Sequence, residues 1–73
     1  KTKAAYATVR RGVKGDNVRV VQGLLYGRGY DPNGFDGSCG AGCEKAIRAY
    51  QADMDDLEVD GHCGKRTFAA LIR

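Results

Sequence analysis

The sequence predicts an all-α fold: a small closed three-helix bundle with an internal repeat of turn–helix units. Three observations predict it. First, residues 35–49, FDGSCGAGCEKAIRA, and residues 59–73, VDGHCGKRTFAALIR, align at an offset of 24 with five identities in 15 positions. The identities are Asp36/Asp60, Gly37/Gly61, Cys39/Cys63, Gly40/Gly64 and Ala46/Ala70, while Phe35/Val59 and Ile47/Leu71 keep apolar character. A repeat at a fixed period is one supersecondary unit used twice. Here the unit is a turn feeding a helix, and neither copy can bury an apolar face alone. Second, apolar residues recur at helical spacing in three segments. Third, the stretches between them carry Gly, Asp, Asn and Pro turn chemistry, and only residues 57–59 alternate like a short extended piece.

The elements follow in order. Residues 1–8 are small and basic with one aromatic and read as a linker; the domain spans residues 9–73, with Val9 docking on it. Gly12 and Gly15 punctuate a turn, and Asp16 is placed to cap the first helix, because its carboxylate can accept from free backbone N–H groups. Val18, Val21 and Leu25, with Leu24 beside them, form the stripe of a helix over about residues 16–28, which Gly27 and Gly29 end. Tyr30–Gly34 is a turn, with Pro32 fixing φ and Asn33 and Gly34 tolerating positive φ. The second helix covers about residues 41–54, with Ala46, Ile47, Tyr50 and Met54 on one face. Asp55 and Asp56 stop it, since the macrodipole disfavours acids at a C-terminus. The third covers about residues 65–73, with Phe68, Leu71 and Ile72 as its apolar side.

Seventy-three residues make one small domain. Its core can supply only about 3–5 kcal/mol of net stability. A deep active site is not expected from so short a chain; a binding or targeting module is. Twelve basic and nine acidic side chains leave a charge of +3. The basic residues are spread out apart from Arg10–Arg11 and Lys65–Arg66, so no stripe suited to a nucleic acid exists. No apolar run reaches the ~18 residues of a membrane span, and no secretion-signal pattern is present. The chain opens on Lys1 without Met and closes just after an apolar pair, which reads as a segment of a longer protein; a monomer is expected.

An ordered set of motifs runs through the chain: G-x-x-G-x-x-V-x-x-[VL]-Q-x-x-L-x-x-x-G-Y, D-G-x-x-G, A-[VI]-x-x-[FY]-Q and L-x-V-D-G-x-x-G-x-x-T-[WF]-x-x-L. It is filled by Gly12, Gly15, Val18, Val21, Gln22, Leu25, Gly29 and Tyr30, then Asp36, Gly37 and Gly40, then Ala46, Ile47, Tyr50 and Gln51, then Leu57, Val59, Asp60, Gly61, Gly64, Thr67, Phe68 and Leu71. Over about residues 9–73 the chain resembles the peptidoglycan-binding-domain-like family, the three-helix wall-binding module attached to amidases, lysozymes, carboxypeptidases and phage endolysins. The resemblance implies a non-catalytic module without a cofactor. It would bind peptidoglycan and target a covalently linked hydrolase to the wall, in a secreted or phage-released protein acting outside the cell. The departures from the family pattern are Cys39 and Cys63 at aromatic or aliphatic positions, Cys43 at a usual threonine, and Asp56 at a frequent glycine. Metalloproteinase propeptides resemble the same fold without known wall binding. The alternative function is therefore an intramolecular structural or inhibitory segment, with Cys43 or Cys63 blocking a metal centre.

The candidate residues each carry a plainer explanation beside the functional one. Asp36 and Asp60 could pair as glycosidase acid and base, but Asp before Gly more commonly fixes a turn by accepting backbone N–H groups. No catalytic residue is assigned. Gln22 and Gln51 hold matching points of two helices and are expected to satisfy loop backbone groups. Tyr50 is core, whereas Tyr30 is the first aromatic candidate for a binding surface. Arg48, Arg66 and Thr67 lie on or beside the repeated units, where an arginine can meet a stem-peptide carboxylate with two parallel bonds and helix N–H groups favour an anion. The expected ligand-binding set is therefore Tyr30, Asp36, Arg48, Asp60, Arg66 and Thr67. Three readings stay open for Cys39, Cys43 and Cys63. They are buried thiols, one disulfide with Cys39–Cys63 as the preferred pair because the positions are equivalent, or a zinc set with His62 that adjacent ligands disfavour. No metal is assigned.

Overall fold

A computed structural model describes residues 7–73, so most of the expected linker lies outside the described residues. It contains three helices, α1 (Asp16–Gly27), α2 (Ala41–Asp53) and α3 (Lys65–Leu71). Each ends one or two residues earlier than the sequence suggests. Asp16 is not the N-cap of α1. Gly15 holds that place, because its N–H donates to Gly37 O at 2.8 Å and pins the chain just before the helix.

The core has one source per element. Val18, Val21 and Leu25 from α1, Cys43, Ala46, Ile47 and Tyr50 from α2, and Ala70 and Leu71 from α3 are buried together with Val9. Helix α1 packs against both other helices. Ile72, expected on the apolar side of α3, is 58% exposed, because the helix ends at Leu71 and Ile72 falls beyond it. Arg28 closes that end of the bundle. Its Nε donates to Leu71 O at 3.1 Å and its Nη2 to Arg73 O at 3.0 Å, while the guanidinium lies over the Tyr50 ring. A cation at a helix C-terminus is favoured by the carbonyl groups left open there.

The segment 9–15 ties the two repeats together. Val9 and Cys63 exchange backbone hydrogen bonds of 3.1 and 2.7 Å. Gly12 N–H donates to Cys39 O at 2.8 Å, and Cys39 N–H donates to Val13 O at 2.9 Å. These contacts leave only isolated bridges, Val9–Cys63 and Lys14–Ser38, and no strand among the described residues. Residues 57–59 take part in neither bridge, and Val59 is half exposed.

The disulfide differs from the expected pair. It joins Cys39 to Cys43, whose Cα atoms are 5.1 Å apart, inside the range such a bond requires. Cys43 lies in the first turn of α2, within reach of Cys39 just before the helix. Cys63 is held elsewhere: it pairs with Val9 and Cys39 with Val13, and the Arg10–Val13 turn separates those two points. Cys63 is buried outside the disulfide. With two of the three cysteines bonded, a zinc set of thiolates has lost its ligands.

Candidate functional site: two clasped Asp-Gly turns and their clefts

Each Asp-Gly turn is built the same way. Asp36 Oδ1 accepts from Ser38 N–H at 3.0 Å, and Asp60 Oδ1 accepts from His62 N–H at 2.9 Å. Gly37 and Gly61 take φ values of 76° and 77°, the left-handed region where a side chain is strained. A buried glutamine from the preceding helix then clasps each turn. Gln22 Oε1 accepts from Gly37 N–H at 3.1 Å, and its Nε2 donates to Ser38 O at 3.2 Å and Asp36 Oδ1 at 3.3 Å. Gln51 Oε1 accepts from Asp60 and Gly61 N–H at 3.1 and 3.0 Å. Its Nε2 donates to Asp60 Oδ1 and His62 O, both at 3.0 Å, and to Thr67 Oγ1 at 3.2 Å. The aspartates are thus turn-makers, as the plainer explanation has it. The Ser38 N–H and then the Gln22 amide hold the Asp36 carboxyl below its ordinary pKa. The Asp60 carboxyl is likewise held below its ordinary pKa, chiefly by the His62 N–H, which outweighs the opposing effect of burial, with the Gln51 amide adding to it.

An arginine completes each clasp. Arg19 lies against Gly37 and Arg48 against Gly61, where a Cβ would stand 3.4 Å from Arg19 Nη2 and 3.1 Å from Arg48 Nε. Each arginine precedes its glutamine by three positions, so R-x-x-Q occurs in α1 and again in α2. That doubled motif was the available signal for Arg19, which sequence reasoning missed. Arg48 also pairs with Glu44 at 3.8 Å, and Glu44 meets Arg11 at 3.6 Å.

The candidate ligand residues do not all meet. Asp60, Arg66 and Thr67 come together around a cleft of about 230 Å³ between residues 57–58 and the start of α3, joined by Glu58, His62 and Lys65. Lys65 and Arg66 are exposed there, whereas the Thr67 hydroxyl is buried and engaged by Gln51. Asp36 lines two other clefts, one toward Asn33 and Cys43 and one toward Lys14 and Arg19. Arg48 stands behind the Asp60–Gly61 turn and does not line the cleft. Tyr30 lines none of the three clefts. Its hydroxyl donates to Asp53 Oδ2, and its ring meets Tyr50 edge-on at 5.5 Å. The bond to Asp53 raises the Tyr30 pKa. Among the described residues, no three His, Cys, Asp or Glu side chains gather where one metal ion could be held. No helix there is long and apolar enough to cross a membrane.

Residues 14–71 match the family described as "Putative peptidoglycan binding domain". A 55-residue stretch, 75% of the chain, is 38% identical to "Uncharacterized protein FadG" of Bacillus subtilis (strain 168), of whose length it spans 10%. Among solved structures, the SleB N-terminal domain superposes with a TM-score of 0.85 at 31% identity, covering 93% of this chain and 92% of that one. A Burkholderia AP3 phage endolysin gives 0.81 at 31% identity, covering 89% of this chain and 24% of that one. A peptidoglycan-binding protein from Clostridioides difficile, solved in complex with glutamine hydroxamate, gives 0.82 at 31% identity, covering 89% and 40%.

Proposed function

The chain belongs to the peptidoglycan binding domain family, and on that premise we propose that it is a non-catalytic module holding an attached hydrolase on the bacterial cell wall, outside the cell. The observation that carries the site is the cleft beside the second Asp-Gly turn, where Lys65 and Arg66 stand exposed over a floor fixed by Gln51 and Asp60. Peptidoglycan offers stem-peptide carboxylates. Arg66 meets such a group with a planar pair of N–H donors and Lys65 with a point charge. Asp60 is already engaged by backbone and amide donors, so its role is to hold the floor rather than to transfer protons. Tethering then raises the local concentration of wall substrate around the linked enzyme.

The inhibitory-segment alternative needs a thiol presented to a metal. Cys43 is disulfide-bonded and Cys63 is fully buried, so neither presents one in this fold. The deciding experiment is co-sedimentation with purified insoluble peptidoglycan. Enrichment over a protein of the same size and charge is expected, as is loss of that enrichment in a Lys65→Gln/Arg66→Gln variant. Equal sedimentation of module and control sinks the proposal.

A further inference from the structure

Tyr26 and Phe35 are large apolar side chains left 58% and 49% exposed, and they meet edge-to-face with ring centroids 5.2 Å apart. Nothing in the clasp or the stem-peptide cleft uses them. Phe35 immediately precedes Asp36, which lines a cleft of about 390 Å³ with Lys14, Asp16, Arg19 and Ser38. Arg19 and Tyr26 are seven residues apart on α1, so they share one helix face about 10.5 Å apart along the axis. Gly23 lies between them on that face. Glycine inside a helix costs stability against alanine, and a Cβ at Gly23 would meet no atom within 4 Å, so packing does not require the glycine. Its effect is a stretch of bare backbone on the helix face that carries Arg19 and Tyr26. In the cleft, Lys14 and Arg19 are balanced by Asp16 and Asp36. Such a lining supplies both donors and acceptors for the hydroxyl and amide groups of a ligand.

We infer that this face of α1, with the cleft at its Arg19 end, forms a groove that is a second subsite and takes the glycan strand of the wall polymer. An N-acetylated sugar ring lies over Gly23 and stacks its apolar face on one ring of the perpendicular Tyr26–Phe35 pair, the other ring meeting its edge, with its hydroxyl and acetamido groups toward Arg19 and Ser38. Rings with exposed faces offer large apolar contact at low entropic cost. The inference rests on the peptidoglycan-binding proposal and divides the polymer between two clefts: sugar at the first Asp-Gly turn, stem peptide at the second.

The test uses isotope-labelled protein titrated separately with peptide-free glycan strands and with free stem peptide, followed by amide chemical shifts. Glycan strands are expected to move Arg19, Gly23, Tyr26 and Phe35, and stem peptide to move residues 57–67. Tyr26→Ala and Phe35→Ala weaken glycan binding roughly tenfold, and Tyr26→Phe retains it. Gly23→Gln raises the melting temperature by improving the helix yet weakens glycan binding, which separates blockage of the groove from damage to the fold. Retention on intact peptidoglycan with unchanged glycan binding in Tyr26→Ala and Gly23→Gln overturns this inference alone. Failure to sediment with intact peptidoglycan overturns the proposed function as well.

Discussion

Gln51 is the side chain whose loss should cost this small domain most per atom removed. It is buried and makes five hydrogen bonds to the second Asp-Gly turn and to Thr67. Gln51→Leu nearly preserves volume, so the cavity contribution is small, but it leaves the buried Gly61 N–H and the partly buried Asp60 N–H without their acceptor. An orphaned buried donor costs about 1–3 kcal/mol, and together the two should cost about 3 kcal/mol. A chain of this length has a total stability on the order of 5 kcal/mol. Gln22→Leu orphans one buried donor, Gly37 N–H, in a loop that the Cys39–Cys43 disulfide also restrains, and should cost about 1–2 kcal/mol. Urea unfolding followed by circular dichroism reads both: with a slope of about 1 kcal/mol/M, the midpoint falls about 3 M for Gln51→Leu and about half as far for Gln22→Leu. The disulfide closes a five-residue loop, worth about 2 kcal/mol by loop entropy. Under reductant, Gln22→Leu should therefore lose more than the sum of the separate effects, because both fasten the same turn. Equal losses for the two glutamines, or strict additivity with reductant, would refute the clasp argument.

Gly61→Ala should destabilise by about 2 kcal/mol, since it combines a left-handed φ of 77° with a Cβ 3.1–3.2 Å from Arg48 and Glu44; thermal melting checks it. The depressed pKa values of Asp36 and Asp60 mean that their stabilisation is complete above the ordinary carboxylate pKa and is lost as pH falls through the folded values. Stability should thus be level from about pH 7 to 5 and decline below about pH 4, with a shallower decline in Asp60→Asn, measured by urea unfolding at each pH. Arg28→Ala should cost about 1–2 kcal/mol through two lost bonds to the α3 end and the lost Tyr50 contact; unfolding with no change in wall binding checks it. Wall binding should weaken with added salt, and the Lys65→Gln/Arg66→Gln variant should show a flatter salt dependence in sedimentation.

The helices, their buried stripes and the turn-making role of the aspartates were legible because each rests on local rules: helical periodicity, glycine at positive φ, and Asp accepting from the N–H two residues on. Boundaries slipped where tertiary contacts decide them. The Gly15–Gly37 bond displaces Asp16 from the cap, and the early end of α3 puts Ile72 in solvent. The disulfide was misassigned because equivalence in a repeat is a relation of sequence, whereas a bond needs proximity. Segment 9–15 threads between the two turns and keeps their equivalent cysteines on separate partners. Tyr30 lines none of the described clefts, and the partner that holds its hydroxyl, Asp53, is 23 positions away and not legible from local rules. Arg19 was hidden because the offset of 24 that aligns the Asp-Gly turns does not align R-x-x-Q, whose copies are 29 apart.

That mismatch of offsets bears on function. Each clasp joins a helix to the turn after it, and the first connection is five residues longer between glutamine and aspartate than the second. The extra length carries Phe35 to a position where it meets Tyr26. In the second copy the corresponding Val59 is exposed but lines no described cleft with an aromatic neighbour. The fastening differs in parallel. Thr67 completes the second clasp through its hydroxyl, and Cys43, its equivalent in the first, is bonded to Cys39 instead. A covalent brace leaves the first turn less dependent on its glutamine, while the second relies on hydrogen bonds alone and places two cations beside them. One repeated frame therefore carries two differently fastened and differently lined surfaces, as the proposed division of sugar and stem peptide between the two turns requires.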